Sequence, residues 1–181
     1  MEILTERLVL REWRDEDAEP LWAMSSDAAV MEHLGGPMSR EASDAALGRC
    51  RVRRASGLGP WALEARGVAP FVGFVGLMRT SFEAPFTPCV EVLWRLAREH
   101  WGKGYAVEAA EASLREGFEV HGLDAILSFT VLANTRSQRV MERIGMTRSP
   151  SEDFDHPLVP VGSPLRPHIL YRIRREQWAG R

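Results

Sequence analysis

The sequence predicts a single α/β domain spanning residues 1–181, on three observations. Before Trp61 most apolar residues recur at helical spacing. From Trp61 onward they fall into short β-rich runs, "WALEA", "PFVGFVGLMR", "CVEVLWRL" and "ILSFTVL", separated by Gly, Pro and acidic turns. Between the last two runs lies one helical pattern, forming a strand, helix, strand unit whose crossover is expected to be right-handed. The chain carries no Gly/Ser-rich linker and no repeat, and 181 residues suffice for one sizeable core.

The elements follow in order. "RLVLREW" alternates as a first strand, and "DEDAEPLWAM" places acids at the positive start of a helix, with Ala18, Leu21 and Trp22 inward and Pro20 early enough to be tolerated. "DAAVMEHL" is a short helical turn stopped by Gly35, Gly36 and Pro37. Ser39 then caps a longer helix, "REASDAALGRCRVRR". After the fourth run a helix is expected from Tyr105 to about His121, with Ala106, Ala109, Ala110, Leu114 and Phe118 on its inner face. Asn134 caps "TRSQRVMERIG", where Val140, Met141 and Ile144 face inward and Gly145 ends the helix. "SEDFDHPLVPVGSPLRPH" holds four of the eleven prolines and reads as an ordered excursion before a last strand, "ILYRIRR".

Composition narrows the function classes. Basic and acidic residues number 23 and 25, so no global field draws nucleic acid or an anionic membrane, and any anion site is local. The basic run "RCRVRR" lacks the interleaved aromatics of a nucleic-acid surface. Two cysteines without a CxxC pair indicate neither a disulfide framework nor a zinc knuckle. The N-terminal "MEILTERLVLREW" lacks an apolar run long enough for a signal peptide or a membrane span, and the expected compartment is the cytoplasm. Asp153, Asp155, His156 and His168 match no zinc or calcium spacing, so no metal is expected.

The stretch "REHWGKGYAVEAAEA", Arg98 to Ala112, is the chemical signal. A strand feeds a turn with Gly102 and Gly104, then a helix, so free amides from Gly102 to Ala106 point along the positive end of the helix dipole, with Lys103 beside them. A ligand-free strand-to-helix turn is the competing reading. The stretch is neither a GxGxxG fingerprint, since valine holds the last position, nor a Walker loop.

These residues resemble the GNAT superfamily of acyl-CoA-dependent N-acyltransferases, whose [QR]xxGx[GA] loop holds the CoA pyrophosphate. "WGKGYA" supplies Gly104 and Ala106 at the small positions, and Trp101 stands where Gln or Arg is usual, as in the branch similar to ribosomal-protein-alanine and -serine N-acetyltransferases. Val107 replaces that branch's threonine. "LTERLVLREWRDEDA", "VEVLWRL" and Asn134 with "SQRVMERIGM" resemble further segments of the branch in the same order. The resemblance implies a mixed, mostly antiparallel sheet with splayed strands four and five and flanking helices. It also implies acetyl-CoA as cosubstrate, with pantetheine on the backbone of Leu93, Trp94 and Leu96, and Trp101, Gly102, Lys103, Gly104, Tyr105, Ala106, Asn134 and Ser137 around it.

At the reacting end an amine must lose a proton before attack, and α-amines and lysines hold theirs to about 8 and 10.4, so a base is useful. Glu91, two residues before Leu93, is the candidate base, with an ion pair to Arg79 as its competing role. Many relatives protonate the departing thiolate with a tyrosine; the aligned residue here is Met141, and neither Tyr105 nor Tyr171 replaces it by position. Ser137 is the candidate acid, with a first-turn capping role as its alternative. Arg136, Arg139 and Arg143 are candidates for the adenine or 3′-phosphate end, or for a solvated helix face. The resemblance places Asp153, Phe154, Asp155 and His156 near the acceptor mouth. The expected reaction is direct attack by a primary amine, a protein N-terminal α-amine or a small molecule, in a ternary complex, by a monomer or homodimer that engages neither nucleic acid nor membrane. A non-catalytic acyl-CoA sensor is the alternative.

Overall fold

In a computed structural model, which describes residues 2–179, a mixed sheet runs through the molecule with helices on both faces. β1 (Ile3–Leu4), β2 (Leu8–Arg11), β3 (Pro60–Ala65), β4 (Ala69–Arg79) and β5 (Val90–Leu96) pair antiparallel in chain order. β6 (Ala125–Val131) lies parallel to β5. The short β7 (Thr147–Arg148) and β8 (Phe154–Asp155) both pair with β9 (Pro167–Arg174), which runs antiparallel to β6. The sheet is thus mostly antiparallel, with its parallel pair at the strand, helix, strand unit.

Strand alternation divides the core into two layers. On one face α4 (Tyr105–Arg115) and α5 (Thr135–Arg143) bring Ala109, Ala110, Leu114 and Met141 against Leu8, Leu10, Val75 and Val92. On the other, α1 (Ala18–Ser26), α2 (Ala28–Met31) and α3 (Arg40–Ala55) cover the sheet, with Leu21, Met24 and Leu47 packed on Ala62, Phe71 and Phe74. α6 (Arg175–Ala179) follows β9 directly. The expected caps are formed: Ser39 Oγ accepts the Ala42 amide at 3.2 Å, and Asn134 Oδ1 accepts the Ser137 amide at 3.2 Å.

The structure departs from the sequence pattern in three places. β1 forms a hairpin partner to β2 that two residues, Ile3 and Leu4, were too short to signal. The helix expected to run to His121 leaves α geometry at Arg115 and closes with a wider turn, the His121 amide donating to the Glu116 carbonyl at 3.1 Å. Gly117 sits at that turn because a Cβ there would lie 2.6 Å from Ile126 Cδ1. Trp22, expected inward, is half-buried outside both core layers, with the Arg40 guanidinium 5.4 Å from its ring.

The basic run of α3 has internal work. Arg51 pairs with Asp15 at 2.7 Å, and Arg54 stacks over Trp61 at 3.6 Å and reaches Glu116 at 3.5 Å. Beneath the first helix Arg11, 1% exposed, makes a two-pronged pair with Asp17, Nη1 to Oδ2 at 2.8 Å and Nη2 to Oδ1 at 2.7 Å. Its Nη2 also donates to the Pro70 carbonyl at 2.5 Å, and Asp17 accepts the Arg14 amide at 2.7 Å. The pair therefore ties β2, the start of α1 and the start of β4 together. Arg11 Nε also reaches the partly exposed Glu64 at 3.3 Å, so removing Asp17 leaves Arg11 with this weaker partner alone, at a cost of about 3 kcal/mol. Asp17→Ala is expected to lower the melting temperature by about 6–12 °C in a calorimetric scan, at about 2–4 °C per kcal/mol for a chain of this size. A drop below about 2 °C would remove the pair from this structural role.

Candidate active site

β5 and β6 share a single registered pair, Glu91 with Leu127, whereas β4 and β5 share seven and β6 and β9 share seven. Beyond Glu91 the two parallel strands diverge and a cleft of about 610 Å³ opens between them. The splay of the fourth and fifth long strands expected from the sequence is present. Ala97 donates its amide to the Val72 carbonyl at 3.0 Å, so odd-numbered residues of β5 bond toward β4; Val92 gives its amide to the bridge with Leu127, and the Val92 carbonyl and the Trp94 peptide groups face the opening. The Leu96 carbonyl is taken by Trp101, whose indole Nε1 donates to it at 2.9 Å.

At the far end of this edge, Gly102 and Gly104 adopt φ of +72° and +82°, and Gly104 is the N-cap of α4 without a side-chain cap. The Glu108 amide is the first to bond back, to Gly104 O at 3.1 Å, leaving the amides of Tyr105, Ala106 and Val107 unpaired within the helix. The turn is braced from behind: Arg7 Nη1 donates to the Lys103 carbonyl at 2.8 Å, and Arg7 pairs with Glu108 at 2.7 Å, which holds the Glu108 carboxyl below its ordinary range together with Thr5. Trp101, Gly102, Gly104, Tyr105 and Ala106 line the cleft, as do Arg136, Arg139 and Arg143 of α5; the exposed Lys103 does not. Arg136 stacks over Trp101 at 4.3 Å and reaches Glu32, just past the end of α2, at 3.4 Å. His100 Nδ1, buried beside the turn, has no hydrogen-bond partner among the described residues. A row of free amides, an orphan ring nitrogen and cationic side chains along one wall fit a phosphate-bearing ligand with an extended polar arm.

Glu91 stands at the vertex, 8% exposed, and lines the cleft. Its neighbour across the sheet is Met78, while Arg79 is opposite Val90; among the described residues no ion pair joins Glu91 to Arg79. Burial pushes the Glu91 carboxyl up to about 7, against a small opposing pull from Arg53. Across the cleft Asn134 Nδ2 donates to Thr130 Oγ1 at 3.0 Å and to Ser137 Oγ at 3.1 Å. Ser137 therefore accepts through its oxygen and keeps its own proton available to the cleft it lines. Met141 is buried against the same wall, and Tyr171 donates instead to Glu142 at 3.3 Å. Ser128, a buried hydroxyl on β6 that also lines the cleft, was not signalled by the sequence because nothing in "ILSFTVL" distinguishes it from a core serine.

On the α1 and α2 side, Val30, His33, Leu34, Phe74, Leu93 and Arg95 complete one wall, and Phe129, His156 and His168 another. Behind the second wall Phe82, Phe86 and Phe154 pack with these rings, Phe82 to His156 at 4.5 Å and Phe86 to Phe154 at 4.7 Å. Burial pushes both histidines below their ordinary range. Of the late residues expected near the acceptor mouth, only His156 lines the cleft. Asp153 pairs with Arg148, Asp155 pairs with Arg166 at 3.2 Å, and Phe154 belongs to the aromatic packing. The described residues hold no His, Cys, Asp or Glu group arranged for a metal, and none of their helices is long and apolar enough to cross a membrane.

Residues 7–147 match the model of the acetyltransferase (GNAT) domain. The uncharacterized N-acetyltransferase YnaD of Bacillus subtilis is 28% identical over 179 residues, covering 98% of this chain and 99% of that protein. The crystal structure of a GNAT-family acetyltransferase from Bacillus anthracis superposes with a TM-score of 0.80 at 28% identity, over 97% of this chain and 99% of that one. An acetyltransferase from Agrobacterium tumefaciens gives 0.75 at 26% identity, over 96% and 94%. A braced amide turn, an opened strand edge and these matches across most of the chain lead to one assignment: the protein belongs to the GNAT family of acetyltransferases.

Proposed function

We propose that this acetyltransferase moves acetyl from acetyl-CoA to a primary amine by direct attack, with Glu91 as general base and Ser137 as proton donor to the departing sulfur. The observation that carries this reading is an acid without an ion-pair partner among the described residues, buried at the vertex where β5 and β6 part. Bound acetyl-CoA supplies the acetyl group already activated as a thioester. The amides from Gly102 to Val107, with Arg136, Arg139 and Arg143, would hold its phosphates, and the Val92 carbonyl and Trp94 peptide groups its pantetheine arm. An outward amide of β5 polarises the thioester oxygen. Glu91, poised near neutrality, takes the proton from the amine nitrogen as the new C–N bond forms. Ser137, its oxygen held by Asn134, gives its proton to the sulfur as the C–S bond breaks, and solvent water relays back to it the proton that Glu91 took, which resets both groups. The acceptor is a protein N-terminal amine, as the branch resemblance suggests, or a small-molecule amine.

Thiol release from acetyl-CoA, measured with Ala- and Ser-initiated peptides, polyamines, amino acids and aminoglycosides, tests the reaction and sorts the acceptor. With an active amine, kcat/KM is expected to rise with pH through about 7 as Glu91 ionises. Glu91→Gln is expected to lose about 10²- to 10⁴-fold in turnover and that limb of the profile, while acetyl-CoA still binds. Unchanged turnover would remove Glu91 from the mechanism.

The same burial makes a stability statement. A carboxyl whose folded value lies near 7, above its unfolded 4.5, favours the fold only when protonated. Its contribution is complete below about 4.5 and lost as pH rises through about 7. Glu91→Gln is therefore expected to be more stable than the parent at pH 8, by up to about 3 kcal/mol, with the gain vanishing below pH 4.5 in denaturant titrations. Gly104→Val places a β-branched side chain at φ +82° and a Cβ 3.2 Å from Arg7 Nη2. It is expected to raise the KM for acetyl-CoA about tenfold or more, with a smaller effect on the KM for the amine.

A further inference from the structure

Glu91, Leu93 and Arg95 alternate onto the same face of β5, the face covered by α1 and α3. Leu93 packs there on the Leu21, Met24 and Leu47 layer, and Arg95 Nη1 reaches Ser25 Oγ of α1 at 3.4 Å. The amide turn and α5 lie on the opposite face, with α4. Arg95 therefore does not belong to the phosphate wall; it lines the α1 side of the cleft, on the strand face that carries Glu91.

The surroundings of Arg95 are unusual for this chain. Among the described residues the well-buried Arg11 has Asp17 and the well-buried Arg54 has Glu116, but Arg95 has no carboxylate within ion-pair reach. Its Nε, like those of Arg51 and Arg54, is sealed from solvent and without a hydrogen-bond partner, its side chain makes a long contact to Ser25, and its guanidinium lies 5.2 Å from the centre of the Phe74 ring. The nearby Cys50 thiol is pushed up by burial and stays uncharged. Desolvation pulls Arg95 down to about 10, so it remains a cation at neutral pH while lacking an anion. A planar guanidinium left unpaired in a ligand-accessible chamber matches a carboxylate best, because the fork can bind both oxygens.

We propose that Arg95 is the specificity-determining anchor for a carboxylate on the acceptor, so that the preferred substrates are primary amines that also carry an acid group. This rests on the proposed reaction at Glu91. Four residues of strand put the two Cα atoms about 13 Å apart, so an amine at Glu91 and an acid at Arg95 are best joined by a body of one to three residues' length. The chamber walls of Val30, Leu34, Phe74 and Leu93 suit an apolar body. The acid is supplied by a small molecule's own carboxylate or by an acidic side chain near a peptide's N-terminus.

The test compares matched acids and amides. Thiol release is measured with phenylalanine, Ala-Phe and Ala-Ala-Phe, each as free acid and carboxamide, and with decapeptide amides bearing Asp, Glu, Asn or Gln at the second or third position. Independently of turnover, calorimetry measures binding of N-acetyl-Ala-Phe and its carboxamide to the full chain. At least one acid is expected to exceed its amide counterpart by 30-fold or more in kcat/KM, mainly through KM, with the acid product binding correspondingly tighter. Arg95→Met is expected to bring both ratios close to one, and Arg95→Lys to restore part of them. Preference in the short series alone identifies a small-molecule acid; preference in the decapeptides alone identifies an acidic peptide. If no amine turns over, the reaction assigned to Glu91 fails, and calorimetry still decides the anchor. Equal binding of acid and amide, undetectable binding included, or a preference that Arg95→Met leaves intact overturns the proposal. Should Arg95→Met fail to fold, the ratios of the parent protein and of Arg95→Lys decide.

Discussion

The architecture depends on two parallel strands that stop pairing after one residue. A sheet edge in the interior leaves peptide groups without partners, and such groups are costly when buried unpaired. In this fold the cost falls on β5 beyond Glu91, where the Val92 carbonyl and the Trp94 peptide groups present backbone to a cleft rather than to β6. Devices on both sides keep the strands apart. Trp101 satisfies the Leu96 carbonyl and closes the end of the β5 edge, and Asn134 ties the start of α5 to Thr130 on β6. A ligand that offers amides and carbonyls in the right register completes the sheet where the protein does not. That explains how one scaffold holds an extended cosubstrate with little help from particular side chains.

The phosphate end shows the same economy. Net charge is −2 and no broad positive surface is needed, because helix amides and a pair of left-handed glycines concentrate positive potential at one turn. Local ion pairs hold that turn in place. Arg7 spends its charge on Glu108 and on the Lys103 carbonyl, making it a brace behind the loop rather than a ligand in front of it. Lys103, which looks like the phosphate-binding lysine in the sequence, lies outside the cleft, and the cations on its wall come instead from α5.

Legibility in the sequence followed the range of the interactions. Strand runs, helix caps at Ser39 and Asn134 and the amide turn are local patterns, readable within a dozen residues, whereas the strand opening beside Glu91 was implied only by the family resemblance. Features assembled from distant segments were not. The Arg11 to Asp17 pair joins residues whose burial depends on β4 closing over them. Phe82 and Phe86 sit in "TSFEAPFTP", which reads as a turn, yet they pack on rings from β6 and from the excursion some 70 residues later. The wide turn at Glu116 is equally invisible, since the Ile126 and Leu77 side chains that leave no room for a Cβ at its Gly117 lie on neighbouring strands. Arg95 looked like any alternating strand residue; only the absence of an acid around it, a property of the fold, singles it out.

Glu91 and Arg95 lie on one strand face with opposite charges and still do not neutralise each other, since four residues of extended chain hold them about 13 Å apart. Each is desolvated, the acid pushed up and the base pulled down, so each weakens the fold in its charged form. A core free to choose its residues would pair them or replace them with apolar side chains. Their persistence at this separation describes the complement they lack: a molecule with a positive group at one end and a negative group at the other, spanning an apolar middle. Such an acceptor restores both charges at once, and because its own net charge is near zero, recognition rests on fit within the chamber rather than on long-range attraction. In the proposed reaction the cosubstrate is held largely by backbone and the acceptor by two side chains, so drift at Arg95 would change the substrate while leaving the acetyl-transfer machinery intact.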